Sequence, residues 1–112
     1  MAFHRKRQNK YGNKITIVDG VRFQSVAEAK RYGELKLLEK AGKISRLELQ
    51  PRFPLKVLDQ LICTYVADFE YVDSKTARTV TEDCKGFPTP LYRIKKKLMK
   101  AIHGIDITEI QA

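Results

Sequence analysis

The 112-residue chain predicts a mixed α/β (α+β) fold in one domain. Three observations point there. A helical stretch opens at Ser25 and closes at Gly42. Three segments rich in Tyr, Val and Phe follow, bounded by Pro, Gly and turn residues. A second helical stretch opens at Thr89-Pro90, closes at Gly104, and leaves a short apolar run behind it. The length suits one domain and is too short for two.

Residues 1–13 are polar and basic without hydrophobic period, and read as a flexible basic arm ahead of a domain over 14–112. Ile15–Val18 and Val21–Phe23 flank Asp19-Gly20, a pair suited to the positive backbone angles of a two-residue hairpin turn. A helix then starts after Ser25, and Gly42 stands where a left-handed cap belongs. Ala27, Leu35 and Leu38 share one side of it, Glu28 lies at that side's margin beside Tyr32 and Leu35, and Glu34 falls on the opposite margin. Pro51 and Pro54 bracket the entry to a first core strand at about 52–58. A second runs about 62–72, Asp73-Ser74-Lys75 is a turn, and a third covers about 77–85. Gly86 and Pro88 end the third strand. Thr89 and Pro90 form an N-cap and first-turn pair for the second helix, expected to bury Leu91, Ile94, Leu98 and Ile102. Residues 105–110 make a short last strand.

Hydrophobic residues make up 43% of the chain, which excludes wholesale disorder. No run approaches the roughly 20 apolar residues that span a bilayer, and the N-terminal charges have no apolar segment behind them, so neither a membrane span nor a secretory signal is expected. Cys63 and Cys84 are then expected as reduced thiols. The net charge is +9 and it is uneven. Residues 1–14 carry Arg5, Lys6, Arg7, Lys10 and Lys14 with no acid. Residues 85–100 carry Lys85, Arg93, Lys95, Lys96, Lys97 and Lys100, again with no acid. The remainder is slightly acidic. Two basic blocks around such a body fit an anionic partner, nucleic acid first among them. A solvated helix face with a solubilising tail would give the same pattern.

The middle strands hold the residues that could do chemistry. Asp68 sits in the second strand, and Glu82-Asp83-Cys84-Lys85 closes the third. Alternation along a strand puts Asp83 and Lys85 on one face and Val80, Glu82 and Cys84 on the other. If the two strands pair as a hairpin, Asp68 and Asp83 converge on one side with a lysine close by. Two carboxylates at short range repel, and a hard divalent cation removes the conflict. A metal there could activate water and polarise a phosphoryl oxygen, while the lysine offsets charge growing on phosphorus. Asp83-x-Lys85 alone would be an ordinary surface ion pair. Aspartate, aspartate, lysine and a bound metal would together make a minimal phosphodiesterase, a reading that the order of Asp68 and Asp83-x-Lys85 on neighbouring strands favours. His4 and His103 are too scattered to form a metal pair, and the Tyr and Phe residues read as core.

The pattern resembles the PD-(D/E)XK nuclease superfamily, on Asp68 and Asp83-Cys84-Lys85 and on the order helix, three strands, helix, strand. Within it the chain is similar to a family of small phage and prophage proteins. The shared motifs are Lys10-Tyr11-Gly12-Asn13-Lys14, Asp19-Gly20-Val21-Arg22-Phe23-Gln24-Ser25-Val26-Ala27-Glu28-Ala29 and Glu34-Leu35-Lys36-Leu37-Leu38. Leu49-Gln50-Pro51, Ala67-Asp68-Phe69 and Glu82-Asp83-Cys84-Lys85-Gly86 complete them. Together they reach across residues 10–110. Ala67 replaces the proline that classically precedes the first Asp.

The resemblance implies a restriction-endonuclease-like core behind the hairpin and arm. It implies that Glu28, Asp68 and Asp83 bind Mg²⁺ or Mn²⁺ and that Lys85 assists attack, all four being catalytic. Ser25-x-x-Glu28 is also a capping box, which competes for that carboxylate and leaves Glu34 as the reserve. Glu82 is expected to point away from the pair, and Gln50 to support it. Arg5, Lys6, Arg7, Lys95, Lys96, Lys97 and Lys100 would hold the DNA backbone. The implied activity is metal-dependent endonucleolytic cutting of branched or junction DNA, in the manner of a Holliday junction resolvase. The implied setting is phage recombination, replication or packaging in the bacterial cytoplasm, with a homodimer making paired cuts. A non-catalytic nucleic-acid-binding module of the same fold is the alternative. A basic RNA-binding accessory protein would explain the charge and leave Asp68, Asp83 and Lys85 unexplained.

Overall fold

The computed structural model describes residues 15–111. The basic arm, with Arg5, Lys6 and Arg7, lies outside the described residues. Strands β1 (Thr16–Val18) and β2 (Val21–Phe23) form the expected hairpin. Asp19 and Gly20 both take positive φ, 54° and 77°, as its two-residue turn demands.

Helix α1 (Val26–Lys40) starts at Ser25, whose hydroxyl accepts the Glu28 amide at 3.1 Å. At the other end the Gly42 and Lys43 amides turn back to the Glu39 and Leu38 carbonyls, a Schellman closure with Gly42 at φ 77°. Ala29, Tyr32 and Leu35 face inward and pack with Phe23, Ile44, Phe69 and Tyr71 in the first of two cores.

The chain then adds a strand that the sequence pattern hides. β3 (Ile44–Leu49) pairs antiparallel with β6 (Phe69–Asp73). Its apolar residues fall at 44, 47 and 49 because a bulge breaks the ladder between Ser45 and Glu48, with Arg46 at φ 58°. Period-two alternation is lost, and with it the signal. The expected first core strand at 52–58 is instead β4 (Arg52–Val57), which pairs with β5 (Gln60–Val66) in a separate two-stranded ribbon. The expected strand over 62–72 is two strands, β5 and β6, divided at Ala67-Asp68. β7 (Thr79–Lys85) pairs antiparallel with β6, and β8 (Thr108–Gln111) pairs parallel with β7, giving the order β3-β6-β7-β8.

Helix α2 (Pro90–Leu98) is capped by the Thr89 hydroxyl, which accepts the Tyr92 amide at 3.1 Å. It runs on through a π-helical turn, Met99–His103, to Gly104 at φ 69°. Its buried positions are Tyr92 and Met99. Leu91 and Ile94, expected in the core, are 60% and 56% exposed. The helix is rotated about one residue from the simple apolar stripe because Tyr92 fills the space against Tyr65. Leu98 and Ile102, expected in the core, are half-buried against its edge. Tyr92, Met99, Leu55, Tyr65, Ala67 and Ile107 make the second core, between the ribbon, α2 and the C-terminal segment. The chain is a mixed α+β domain, and no helix among the described residues is long and apolar enough to cross a membrane. Both thiols are unpaired.

Candidate active site

Asp68 sits where the chain leaves the ribbon for the sheet. Backbone bonds fasten this crossing on three sides. The Ala67 amide donates to the Pro51 carbonyl at 3.1 Å, the Gln50 amide to the Asp68 carbonyl at 2.9 Å, and the Asp68 amide to the Glu82 carbonyl at 3.0 Å. Gln50, at φ 52°, thus contributes its main chain while its side chain is exposed. The Asp68 carboxylate turns to β7 and accepts the Cys84 amide on Oδ2 at 2.7 Å.

Phe69 stands opposite Glu82 in the ladder, so Asp68 and Asp83 are the next neighbours across the same two strands. Their carboxyl groups lie within hydrogen-bonding reach of each other. Lys85 Nζ is 3.3 Å from Asp83 Oδ1 and 4.4 Å above the centre of the Tyr92 ring. The Tyr65 hydroxyl donates to Asp83 Oδ2. Glu28 stands close enough to Asp68 to interact with it, and its Oε1 also takes the Ser25 hydroxyl at 3.3 Å. The four residues expected to act together are therefore brought together.

The electrostatics follow from burial. Asp68 is pushed up from an ordinary 3.8 to about 6, by burial first, held back by the Cys84 amide and raised further by Glu28. Asp83 is pushed up to about 6 by burial and by Asp68, against the Tyr65 hydroxyl and Lys85. Burial likewise pushes the Cys84 thiol up to about 12, which removes it as a nucleophile at neutral pH. Glu28, Asp68 and Asp83 against Lys85 leave two negative charges when all are ionised, an excess that one divalent cation balances. Among the described residues no group of three or more His, Cys, Asp or Glu side chains is gathered into a ready metal shell. A hard cation such as Mg²⁺ asks for less: one or two carboxylates, waters and a substrate phosphate. Asp68 and Asp83 fit that demand.

The other expected residues fall elsewhere. Glu34 is exposed and bonded to Arg31 at 3.0 Å, away from the pair. Glu82 points to the α1 side, as alternation requires. It is fully buried, receives the Arg31 guanidinium at 2.9 and 2.7 Å, and accepts the Tyr71 hydroxyl. His103 is exposed, with Nε2 at 2.8 Å from the Pro54 carbonyl. On α2, Lys96 pairs with Glu109 at 2.8 Å and Lys95 reaches the Thr64 carbonyl at 3.4 Å, and in the π-helical turn Lys100 pairs with Asp106 at 2.8 Å. The block that is free of acids in sequence is thus partly neutralised in space. Arg93, Lys96, Lys97 and Lys100 still line a cavity of about 520 Å³ beside Pro88 and the C-terminal segment.

Three contributors escape the sequence reading. Tyr65 and Tyr92 look like core aromatics, and their hydroxyls carry no periodic signal. Glu109 is placed beside Asp83 by the parallel β7–β8 register, where its carboxylate accepts the Tyr92 hydroxyl at 2.8 Å. A parallel register is fixed by a crossover and has no local mark in the chain. No curated protein and no solved structure matches this chain. The sequence profile of one family, described as a protein of unknown function (DUF1064), matches residues 8–108, and the chain belongs to that family.

Proposed function

We propose that the protein is a metal-dependent endonuclease that hydrolyses phosphodiester bonds in DNA, with Asp68 and Asp83 as metal ligands, Glu28 beside them and Lys85 as the assisting cation. The observation that carries this reading is the convergence of a buried carboxylate on β7, Asp83, with the half-buried Asp68 at the crossing beside it, Asp83 lying 3.3 Å from a lysine ammonium. A bound Mg²⁺ or Mn²⁺ would supply a polarised phosphoryl oxygen and a water of lowered pKa. Lys85 sits on the same face as Asp83, where its donors can orient that water or meet negative charge on the phosphoryl group. The water oxygen would form the new bond to phosphorus as the bond to the leaving oxygen breaks, that oxygen keeping the electron pair and taking up the proton that the water gives up. The order of elements, with β8 parallel to β7 at the end of a sheet opened by antiparallel strands, supports a restriction-endonuclease-like core.

The basic flank of α2 would bind phosphates without reading bases, which favours branched or junction DNA over a defined sequence. A homodimer cutting two strands and a phage or prophage setting in the bacterial cytoplasm complete the reading. Incubation of the protein with branched and linear DNA in Mg²⁺, Mn²⁺ or EDTA tests it. Cutting in either metal and none in EDTA is expected. A second reading, a binding module without activity, is favoured by the cavity lined by Arg93, Lys96, Lys97 and Lys100, which needs no carboxylate to hold a phosphate. Retention of DNA without cutting in any metal would select it.

A further inference from the structure

We propose that Tyr92 is a positioning residue for Lys85: the face of its ring keeps the ammonium beside the carboxylate pair once Asp83 is engaged by a cation. The inference rests on the site proposed above and adds what holds its lysine in place.

A lysine is hard to place, because its ammonium rides on a flexible four-carbon stem that loses rotamer freedom when fixed. Lys85 is partly exposed. It meets Asp83 Oδ1 at 3.3 Å and the Tyr92 ring, whose centre lies 4.4 Å from Nζ. The first contact is lost when the site is loaded. Asp83 as a metal ligand gives its charge to the ion, and Lys85 is then repelled by that ion rather than held. The second contact survives. An aromatic face attracts an ammonium within about 6 Å through its quadrupole and has no charge for a metal to neutralise. It also leaves most of the three N–H bonds of the ammonium free for a water or a phosphoryl oxygen. A carboxylate in the place of the ring would hold Lys85 equally well and cancel the positive charge that the site needs.

The ring itself is fixed from several sides. Tyr92 is buried in the first turn of α2, where its amide donates to the Thr89 cap, and it packs on the Tyr65 ring with centres 6.4 Å apart. Its hydroxyl donates to Glu109 Oε2 at 2.8 Å, and Lys96 holds the same oxygen at 2.8 Å. Donation to a carboxylate pushes electron density back into the phenol, which strengthens the pull of the ring face on a cation. The parallel register sets Glu109 beside Asp83, so the lysine, the ring and the anchor of the ring belong to one cluster.

NMR of the lysine side chains reads the contact without DNA or metal. Protons above an aromatic face resonate upfield of their ordinary position. The ε-methylene of Lys85, assigned by its absence in Lys85→Arg, should therefore stand upfield of the other lysines. Asp83→Asn removes the charge of the carboxylate, as a bound cation would, and should leave the displacement in place; so should saturating Mg²⁺ on the wild type. Tyr92→Phe should keep it and Tyr92→Leu should abolish it. In cutting assays Tyr92→Leu should lower the single-turnover rate about tenfold with DNA affinity in EDTA unchanged, while Tyr92→Phe stays within about threefold of wild type. Three results overturn the inference: an ordinary Lys85 resonance in wild type, its return to that position in Asp83→Asn or in Mg²⁺, or Phe and Leu variants that cut at the same rate. The first two can be read even if Tyr92→Leu does not fold. Wild type that cuts no DNA in any metal removes the proposed nuclease, and the resonance in wild type and Asp83→Asn still decides whether the ring holds Lys85.

Discussion

Asp68 and Asp83 lie side by side, and burial pushes both carboxyls up to about 6. Such a pair makes a definite mark on stability. The folded state binds protons more tightly than the unfolded chain, so their contribution is fully present below about pH 4 and is lost as pH rises through about 6. Denaturant midpoints of the wild type, without metal, should fall by the equivalent of roughly 1.5 kcal/mol relative to Asp83→Asn between about pH 5 and 7.5. Mn²⁺ at the higher pH should restore much of the difference. Parallel pH profiles for the two proteins would mean that the carboxylates do not feel each other. At the same scale, Asp83→Ala and Lys85→Ala should each slow DNA cutting by at least about a thousandfold, on the order of 4 kcal/mol of barrier. Wild-type rates in either variant would refute the assigned site. These residues were legible in the sequence because strand alternation alone puts Asp83 and Lys85 on one face. Tyr65 was not legible, since it meets Asp83 only through the fold.

The element that holds α1 to the sheet is ionic as well as apolar. Glu82 is 0% exposed, and Arg31 reaches it with two nitrogens while Tyr71 donates from the neighbouring strand. Arg31→Ala would leave a buried carboxylate with a hydroxyl as its remaining partner. It should cost about 3 kcal/mol, against about 1 kcal/mol for Tyr71→Phe, read from urea denaturation midpoints. Equal, small losses would show that water reaches Glu82. The capped ends of both helices and the Asp19-Gly20 hairpin could be read directly, because Ser25, Thr89, Gly42 and Gly104 act within a few residues of their own positions. β3 could not, because its bulge at Arg46 destroys the alternation that marks a strand. The split of 62–72 was hidden for a related reason: Tyr65, Ala67, Phe69 and Tyr71 keep a buried beat across the break, and only the change of pairing partner reveals it. Leu91 and Ile94 mislead in the opposite sense, as apolar residues at helical spacing that the fold leaves outside.

Across the whole molecule, net charge alone overstates what is free to meet an anion. The +9 of the sequence includes lysines that the fold has already engaged: Lys96 by Glu109, Lys100 by Asp106 and Lys85 by Asp83. Lys97 lines the same cavity and has no hydrogen bond or ion pair among the described residues. A lysine that gives up a carboxylate to take a phosphate gains less than one that has only water to lose, and releases fewer counterions overall. The two should therefore differ on DNA. With branched DNA in EDTA, the logarithm of affinity should fall linearly with the logarithm of salt concentration. Lys97→Ala should reduce that slope by about 1, while Lys100→Ala should reduce it clearly less. Glu109→Gln should steepen the slope, because it frees Lys96 without adding a charge of its own. If Lys97→Ala leaves the slope unaltered while DNA is still retained, the backbone does not run along α2, and the phosphate contacts belong to another basic surface of the protein.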